Sequence, residues 1–366
     1  MRHASLPGSA NAPSTYAVPL WAQIAMALLK AHGRETAPDT AILAGIGEED
    51  GCVLSMLRIK RIDSLYYHAR PCPMVSPQQT LYDKIWAVQE RALAAAIRAI
   101  EAAGLPVLVF KGAEMLALYA PCRTRAVSLM SDLDLLVPRR DLAKITRLLN
   151  DDGYVQGVVD PERGTIAEAH ADQHRFYENH HYELHPFVRL DPIDLSSQEV
   201  EVIARLPRRT QLVGREGKWH LIVKLDVHHN VSLDMEVEQF FRRAIPSHLG
   251  YGLTLGPADH LWVMVSRYYM EVAIHRKYRL RDLVFFMTML RRLAIDWDLV
   301  VERCRHYRLY PSLFYMLSFL DQLSGTVIPT GVLAEMSPRK DDREHDWGWQ
   351  IGALFEFIET PPSIIS

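Results

Sequence analysis

The chain has 366 residues, of which 49% are hydrophobic and 23% charged, and a formal net charge of −3. Its length exceeds a usual single domain and its apolar share is enough for a core, so global disorder is excluded. The nearly balanced charge gives no overall attraction to polyanions, and a small-molecule pocket is a better expectation than a broad nucleic-acid surface.

Residues 1–15, rich in Ser, Pro, Ala and Asn, are predicted to be a disordered tail. The apolar run at 18–29 is interrupted by Gln23 and follows a start with little positive charge, so it fits an amphipathic helix better than a signal or membrane segment. Helices are predicted over 21–32 and 51–68. Pro71, Pro73 and Pro77 mark a break before a long helix over 81–103, which stops at Gly104. This N-terminal helical region is set at 16–103. Cys52, Cys72, Cys122 and Cys304 show no Cys-x-x-Cys spacing, which argues against a zinc ribbon or a disulfide framework and fits a reducing, cytoplasmic setting.

A buried strand is predicted over 105–110, then a Lys111-Gly112 turn, then a helix over 113–119. Gly112 suits either a positive φ or a close backbone approach, as phosphate-cradling turns require. The next strand is Ser131-Asp132-Leu133-Asp134-Leu135-Leu136-Val137. Side chains at i and i+2 share one face of a strand, so Asp132 and Asp134 stand side by side while Leu133 and Leu135 face a core. Two hard anionic oxygens of this kind suit magnesium, which takes carboxylate oxygens at about 2.0–2.1 Å and completes its shell with waters and substrate phosphates. The pattern points to phosphoryl or nucleotidyl chemistry.

Farther on, a helix is predicted over 142–149, closing at Gly153, with strands over 175–188 and 219–227. Asp226 would then lie near a strand end. His180, His181, His185, His228 and His229 form a cluster, yet adjacent histidines on a strand face opposite ways, which disfavours a zinc site. His185 and His228 are expected to orient the carboxylates by hydrogen bonding, with Glu183 beside them. From Pro257 the pattern is helical, over 258–274, 283–293, 297–304 and 313–323, with a charged loop at 340–346 and a last short helix over 347–358. Ahead of the second of these helices, Arg279 and Arg281 offer a basic wall for phosphate. No GxGxxG, GxxxxGK[ST] or GxSxG motif occurs, which argues against Rossmann, P-loop and α/β-hydrolase chemistry.

The run from Phe110 through Lys111-Gly112-Ala113-Glu114 to Tyr119, the strand from Ser131 to Pro138, and Asp152-Gly153-Tyr154 resemble the uncharacterised nucleotidyltransferase family of the DNA polymerase β superfamily. Tyr182-Glu183-Leu184-His185, Leu225-Asp226-Val227-His228, Leu280-Arg281-Asp282-Leu283 and Asp296-Trp297-Asp298 follow in the family's order. The family's arginine shortly before the first aspartate is replaced here by Val127-Ser128-Leu129-Met130, with Arg123 and Arg125 farther upstream.

The resemblance implies an α+β fold: a polymerase-β-like mixed sheet with flanking helices over 104–256, and a helical domain over 257–366. It implies an NMP transfer from an NTP to a hydroxyl or phosphate acceptor with release of pyrophosphate. Two magnesium ions, about 3.5–4 Å apart, or manganese in their place, would be held by Asp132, Asp134 and a third carboxylate that also acts as general base. Asp226 is the first choice for that third group and Glu183 the second. Lys111, Gly112, Ser131, Arg125, Arg279 and Arg281 would contact the nucleotide. The acceptor is expected to be a small molecule, peptide or protein, with no membrane partner. An RNA-directed, toxin-like enzyme using Arg205, Arg208, Arg209 and Arg276, and a nucleotide-binding module without activity, are the alternatives.

Overall fold

The computed structural model describes residues 19–38, 43, 51–69, 76–119, 130–204, 206, 211–232, 235–273, 275, 277, 279–325 and 327–338. The expectations for the 1–15 tail, residues 340–346 and 347–358, Cys72, Cys122, Arg125, Arg205, Arg208, Arg209 and Arg276 fall outside these residues.

The chain is α+β, with one mixed sheet of nine strands among the described residues. In chain order they are β1 (Leu108–Phe110), β2 (Leu133–Leu136), β3 (Val155–Asp160), β4 (Thr165–Glu168), β5 (Phe187–Pro192), β6 (Leu212–Arg215), β7 (Lys218–His228), β8 (Ile245–Pro246) and β9 (Leu253–Thr254). Across the sheet they run β4-β3-β5-β7-β2-β1-β9-β8, and β6 pairs with the start of β7. β2 and β7 are parallel, as are β1 and β9, while the other pairs are antiparallel.

β2 and β7 position the site, and their register follows from burial. Leu133, Leu135, Leu225 and Val227 are fully buried on one face of the sheet. Burying each stabilises the fold by about 1.5–3 kcal/mol, and a slip of one residue would expose all of them. The helix Gly112–Tyr119 packs on β1 and β2, and the helix Ser76–Ala102 packs on β7.

Five further helices follow the sheet among the described residues: Pro257–Ala273, Arg281–Arg292, Trp297–His306, Tyr310–Ser324 and Thr330–Glu335. The N-terminal helix Leu20–Arg34 packs against two of them, Arg281–Arg292 and Tyr310–Ser324. Gly33 permits that contact, because a Cβ there would meet Met287 Sδ at 2.6 Å and Leu323 O at 3.2 Å. The buried residues form one continuous hydrophobic core from the N-terminal helices through the sheet to the C-terminal ones. No helix among the described residues is long and apolar enough to cross a membrane. Cys52 and Cys304 are free thiols.

The structure corrects several predicted elements. The strand predicted over 175–188 is instead the helix Ala171–His180 followed by β5. Loose alternation over 175–188 predicts a strand, but a capping box between His170 and Gln173 starts a helix there. Pro77 does not break the long helix; it lies in the first turn of Ser76–Ala102, where its missing N–H costs nothing. The helix predicted over 51–68 divides into Gly51–Ile59 and Asp63–Ala69, around Arg61 with φ +61°. The hairpin β3–β4 has few buried residues, and without a buried face it carries no alternating pattern to detect.

Candidate active site

The parallel pairing of β2 with β7 sets Asp134 opposite Asp226. Asp132 immediately precedes β2, and Lys224, two residues before Asp226, shares the latter's face. β1 pairs antiparallel to β2, with Phe110 opposite Asp134, so the next residue, Lys111, leaves the sheet beside that carboxylate.

Lys111 has φ +56° and turns the chain from β1 into the helix Gly112–Tyr119. Its backbone N–H donates to His260 Nε2 at 3.0 Å. A ring nitrogen that accepts from an amide carries no proton, so His260 is neutral with its proton on Nδ1. Burial first, then His248, pushes its pKa down to about 3. Of the two roles the sequence allows Gly112, the positive φ falls on Lys111. Gly112 shows the close approach, since a Cβ there would lie 2.1 Å from Met130 Cε.

The Lys111 ammonium donates to Asp134 Oδ1 at 2.6 Å and lies 3.0 Å from His228 Nε2, which is itself 2.9 Å from Asp134 Oδ1. Burial pushes the Asp134 pKa up, but Lys111 and then His228 outweigh it and hold the carboxyl well below the usual carboxylate range. Burial and the Lys111 charge press His228 down to about 3, so its ring is neutral. Its Nδ1 lies 3.4 Å from Glu183 Oε2, and Tyr182 stacks on the ring with centroids 5.8 Å apart.

Asp226 differs sharply from Asp134. Its Oδ2 accepts from Lys224 Nζ at 3.0 Å, while Oδ1 is buried with no hydrogen-bond partner among the described residues. Burial first, then Asp132, pushes its pKa up to about 7, against the pull of Lys224. Asp132 is 35% exposed at its side chain, accepts from Ser131 Oγ at 3.1 Å, and lies 4.0 Å from Lys224.

These groups line a cleft of about 290 Å³. Its opposite wall is helical: Arg267 and Glu271 come from Pro257–Ala273, and Lys277, Arg279, Arg281 and Asp282 from the segment that follows. Arg267 lies over the Tyr182 ring at 5.0 Å and 3.9 Å from Glu271. Arg281 pairs with Asp282 at 3.2 Å and reaches Met130 Sδ at 3.6 Å. The Arg279 carbonyl is held by Tyr268 Oη at 2.7 Å, while its guanidinium makes no hydrogen bond or ion pair with a described residue.

The cleft thus brings together Lys111, Gly112, Ser131, Asp132, Asp134, Glu183, Asp226, Arg279 and Arg281 from the sequence reading, and His228 lies directly behind them on Asp134. His185 is a correction. Its ring packs on His174 and Tyr177, with centroids 5.9 and 5.0 Å away, because the chain turns at Pro186 into β5 and carries it toward the helix Ala171–His180. Among the described residues no three His, Cys, Asp or Glu side chains converge on one metal position. At the carboxylates, lysine ammoniums take oxygens that a cation would use: Lys111 binds Asp134 at 2.6 Å, and Lys224 lies 3.0 Å from Asp226 and 4.0 Å from Asp132. Sequence reasoning missed Lys224, Arg267 and His260. Only Lys224 had a local signal, its i−2 spacing from Asp226.

The chain is thus an α+β protein whose sheet carboxylates face a basic helical wall across one cleft. It matches the uncharacterised nucleotidyltransferase family over residues 86–325 and belongs to that family. No curated relative and no solved structure matches it. Membership supports transferase chemistry of the nucleotidyl type in general.

Proposed function

We propose that the protein moves an NMP group from an NTP to a hydroxyl or phosphate acceptor, on a polymerase-β-like sheet, with release of pyrophosphate. The observation that carries this reading is the register of Asp134 with Asp226 in a cleft shared with Asp132, Lys111, Arg279 and Arg281. Asp132, Asp134 and Asp226 would hold magnesium, with manganese an acceptable substitute. The donor chemistry fits, since all are hard carboxylate oxygens and Asp226 Oδ1 is a buried acceptor with nothing donating to it among the described residues; for the three to converge on an ion, Lys111 and Lys224 must release Asp134 and Asp226. Bound there, the ion supplies charge neutralisation for the triphosphate and a lower pKa for an acceptor hydroxyl.

The protein's own groups do the rest. Lys111 exchanges its bond to Asp134 for a phosphate oxygen, and Arg279 and Arg281 draw the β and γ phosphates to the helical wall. Asp226 takes the acceptor proton as the acceptor oxygen bonds to the α-phosphorus and the bond to the β-phosphate oxygen breaks. His228, neutral and wedged between Asp134 and Glu183, keeps the Asp134 carboxylate oriented. The test is Asp132→Asn combined with Asp134→Asn. NTP binding in magnesium and transfer from labelled NTP to components of a cell extract are both expected to collapse, and their unchanged survival removes the assignment.

A further inference from the structure

We propose that Arg61 joins Arg279 and Arg281 in a three-guanidinium seat for the polyphosphate of the nucleotide; this rests on the nucleotidyl-transfer reading of the cleft. Arg61 lies outside the family-matched segment 86–325, so the seat makes the N-terminal helices part of the site.

The Arg61 turn is tied to the basic wall. Leu280 N–H, between the two wall arginines, donates to Lys60 O at 3.0 Å, and Arg61 N–H donates to Arg58 O at 3.0 Å. Arg61 itself adopts φ +61°, a conformation that disfavours any residue with a Cβ. Its Nη1 is buried and has no hydrogen-bond partner among the described residues. Its charged neighbours are Arg281, Arg279, Asp282 and Asp132, all of which line the cleft. Burial first, then repulsion from Arg281 and Arg279, pushes its pKa down to about 10.

A strained backbone, an unmatched buried donor and crowded like charges each oppose folding. One ligand relieves the last two together: a flexible polyanion with several oxygens, such as a triphosphate or the pyrophosphate it releases. Asp282 accepts from Arg281 Nε and Nη2 at 3.3 and 3.2 Å and makes no bond to Arg61 Nη1. Arg279, with no side-chain partner among the described residues, is the second open donor of the same seat.

The experiment titrates full-length wild type, Arg61→Gln and Arg61→Lys with inorganic tripolyphosphate, with each NTP in magnesium and with each NMP, by calorimetry. Melting temperatures without ligand are recorded alongside. Arg61→Gln is expected to weaken tripolyphosphate and NTP binding about tenfold or more, to leave NMP binding unchanged, and to melt no lower than wild type. Arg61→Lys is expected to fall between, since it keeps the charge but loses the planar fork. Wild-type affinity for tripolyphosphate in Arg61→Gln overturns the inference and leaves the functional reading intact. A lower melting temperature with equal losses for NMP and tripolyphosphate also overturns it, because it makes Arg61 structural; if Arg61→Gln does not fold, wild-type tripolyphosphate affinity in Arg61→Lys does the same. Absence of any triphosphate binding by wild type removes both the inference and the reading beneath it.

Discussion

Lys111 and Asp134 are joined across neighbouring strands by a 2.6 Å hydrogen bond from Nζ to Oδ1, the carboxylate oxygen that also faces His228. A lysine ammonium and a divalent cation compete for such an oxygen. Lys111→Met is therefore expected to lower stability in chelator by about 3–5 kcal/mol, the usual effect of leaving a buried charge unpaired. Added magnesium should then raise the melting temperature of the variant more than that of wild type. Equal magnesium shifts in the two proteins would show that Lys111 does not hold the cation's place.

Asp226 and Asp134 occupy matched positions but opposite electrostatic states, one pushed up to about 7 and the other held down by its lysine. Asp226→Asn removes a buried acid that repels Asp132, so the variant should melt at or above the wild-type temperature. Transfer should fall about 10²- to 10⁴-fold if this carboxylate accepts the acceptor proton. Steady-state rates together with melting curves decide the matter. Wild-type transfer in Asp226→Asn, with loss in Glu183→Gln, would move the role to Glu183.

Gly112 and Met130 are in contact at the mouth of the cleft, and Met130 O accepts from Gln89 Nε2 at 3.0 Å. Gly112→Ala should cost up to about 1 kcal/mol in urea unfolding, the low end of overpacking, because the clashing atom is the mobile end of a methionine. Adding Met130→Ala should recover much of that loss, because the two substitutions share one clash. Strict additivity of the two destabilisations would contradict the contact.

Asp63 provides a pH test remote from the cleft. Its Oδ2 accepts from Gln78 Nε2 at 2.8 Å and from Tyr82 Oη at 2.9 Å, and burial, opposed by the Tyr82 bond and the Arg58 charge, leaves its pKa raised to about 6. An acid with a raised folded-state pKa holds its proton longer in the native state than in the unfolded chain. Stability is therefore full below about pH 4 and falls as pH rises toward about 6, by an amount on the order of 3 kcal/mol for this group. Asp63→Asn, which cannot ionise, should lack this component. Urea unfolding at pH 4.5 and pH 7 should show a stability difference between the two pH values that is shifted in favour of neutral pH in the variant; an unchanged difference would refute it.

The local chemistry of the site was legible because it depends on short-range geometry. Alternation along a strand places Asp132 beside Asp134 and buries Leu133 and Leu135, whatever the strand pairs with. Strong apolar periodicity likewise marked the helices that now appear at Pro257–Ala273, Arg281–Arg292 and Tyr310–Ser324. Where a segment has no buried face, as in β3–β4 and the helix Ala171–His180, the pattern is a poor guide, and loose alternation misled at 175–188.

By itself, then, the sequence determined the acidic strand, the Lys111-Gly112 turn, the helices that follow Pro257 and a resemblance now supported by family membership. The tertiary structure alone decided that Asp226 faces Asp134, that Lys111 and Lys224 sit on the carboxylates, that His260 caps the turn, and that Lys60 O accepts from Leu280 N–H beside the basic wall. The physical reason is range. Face and turn preferences act over a few residues, whereas the register of Asp134 with Asp226 and the bond from Leu280 N–H to Lys60 O are set by how a single core packs segments far apart in the chain.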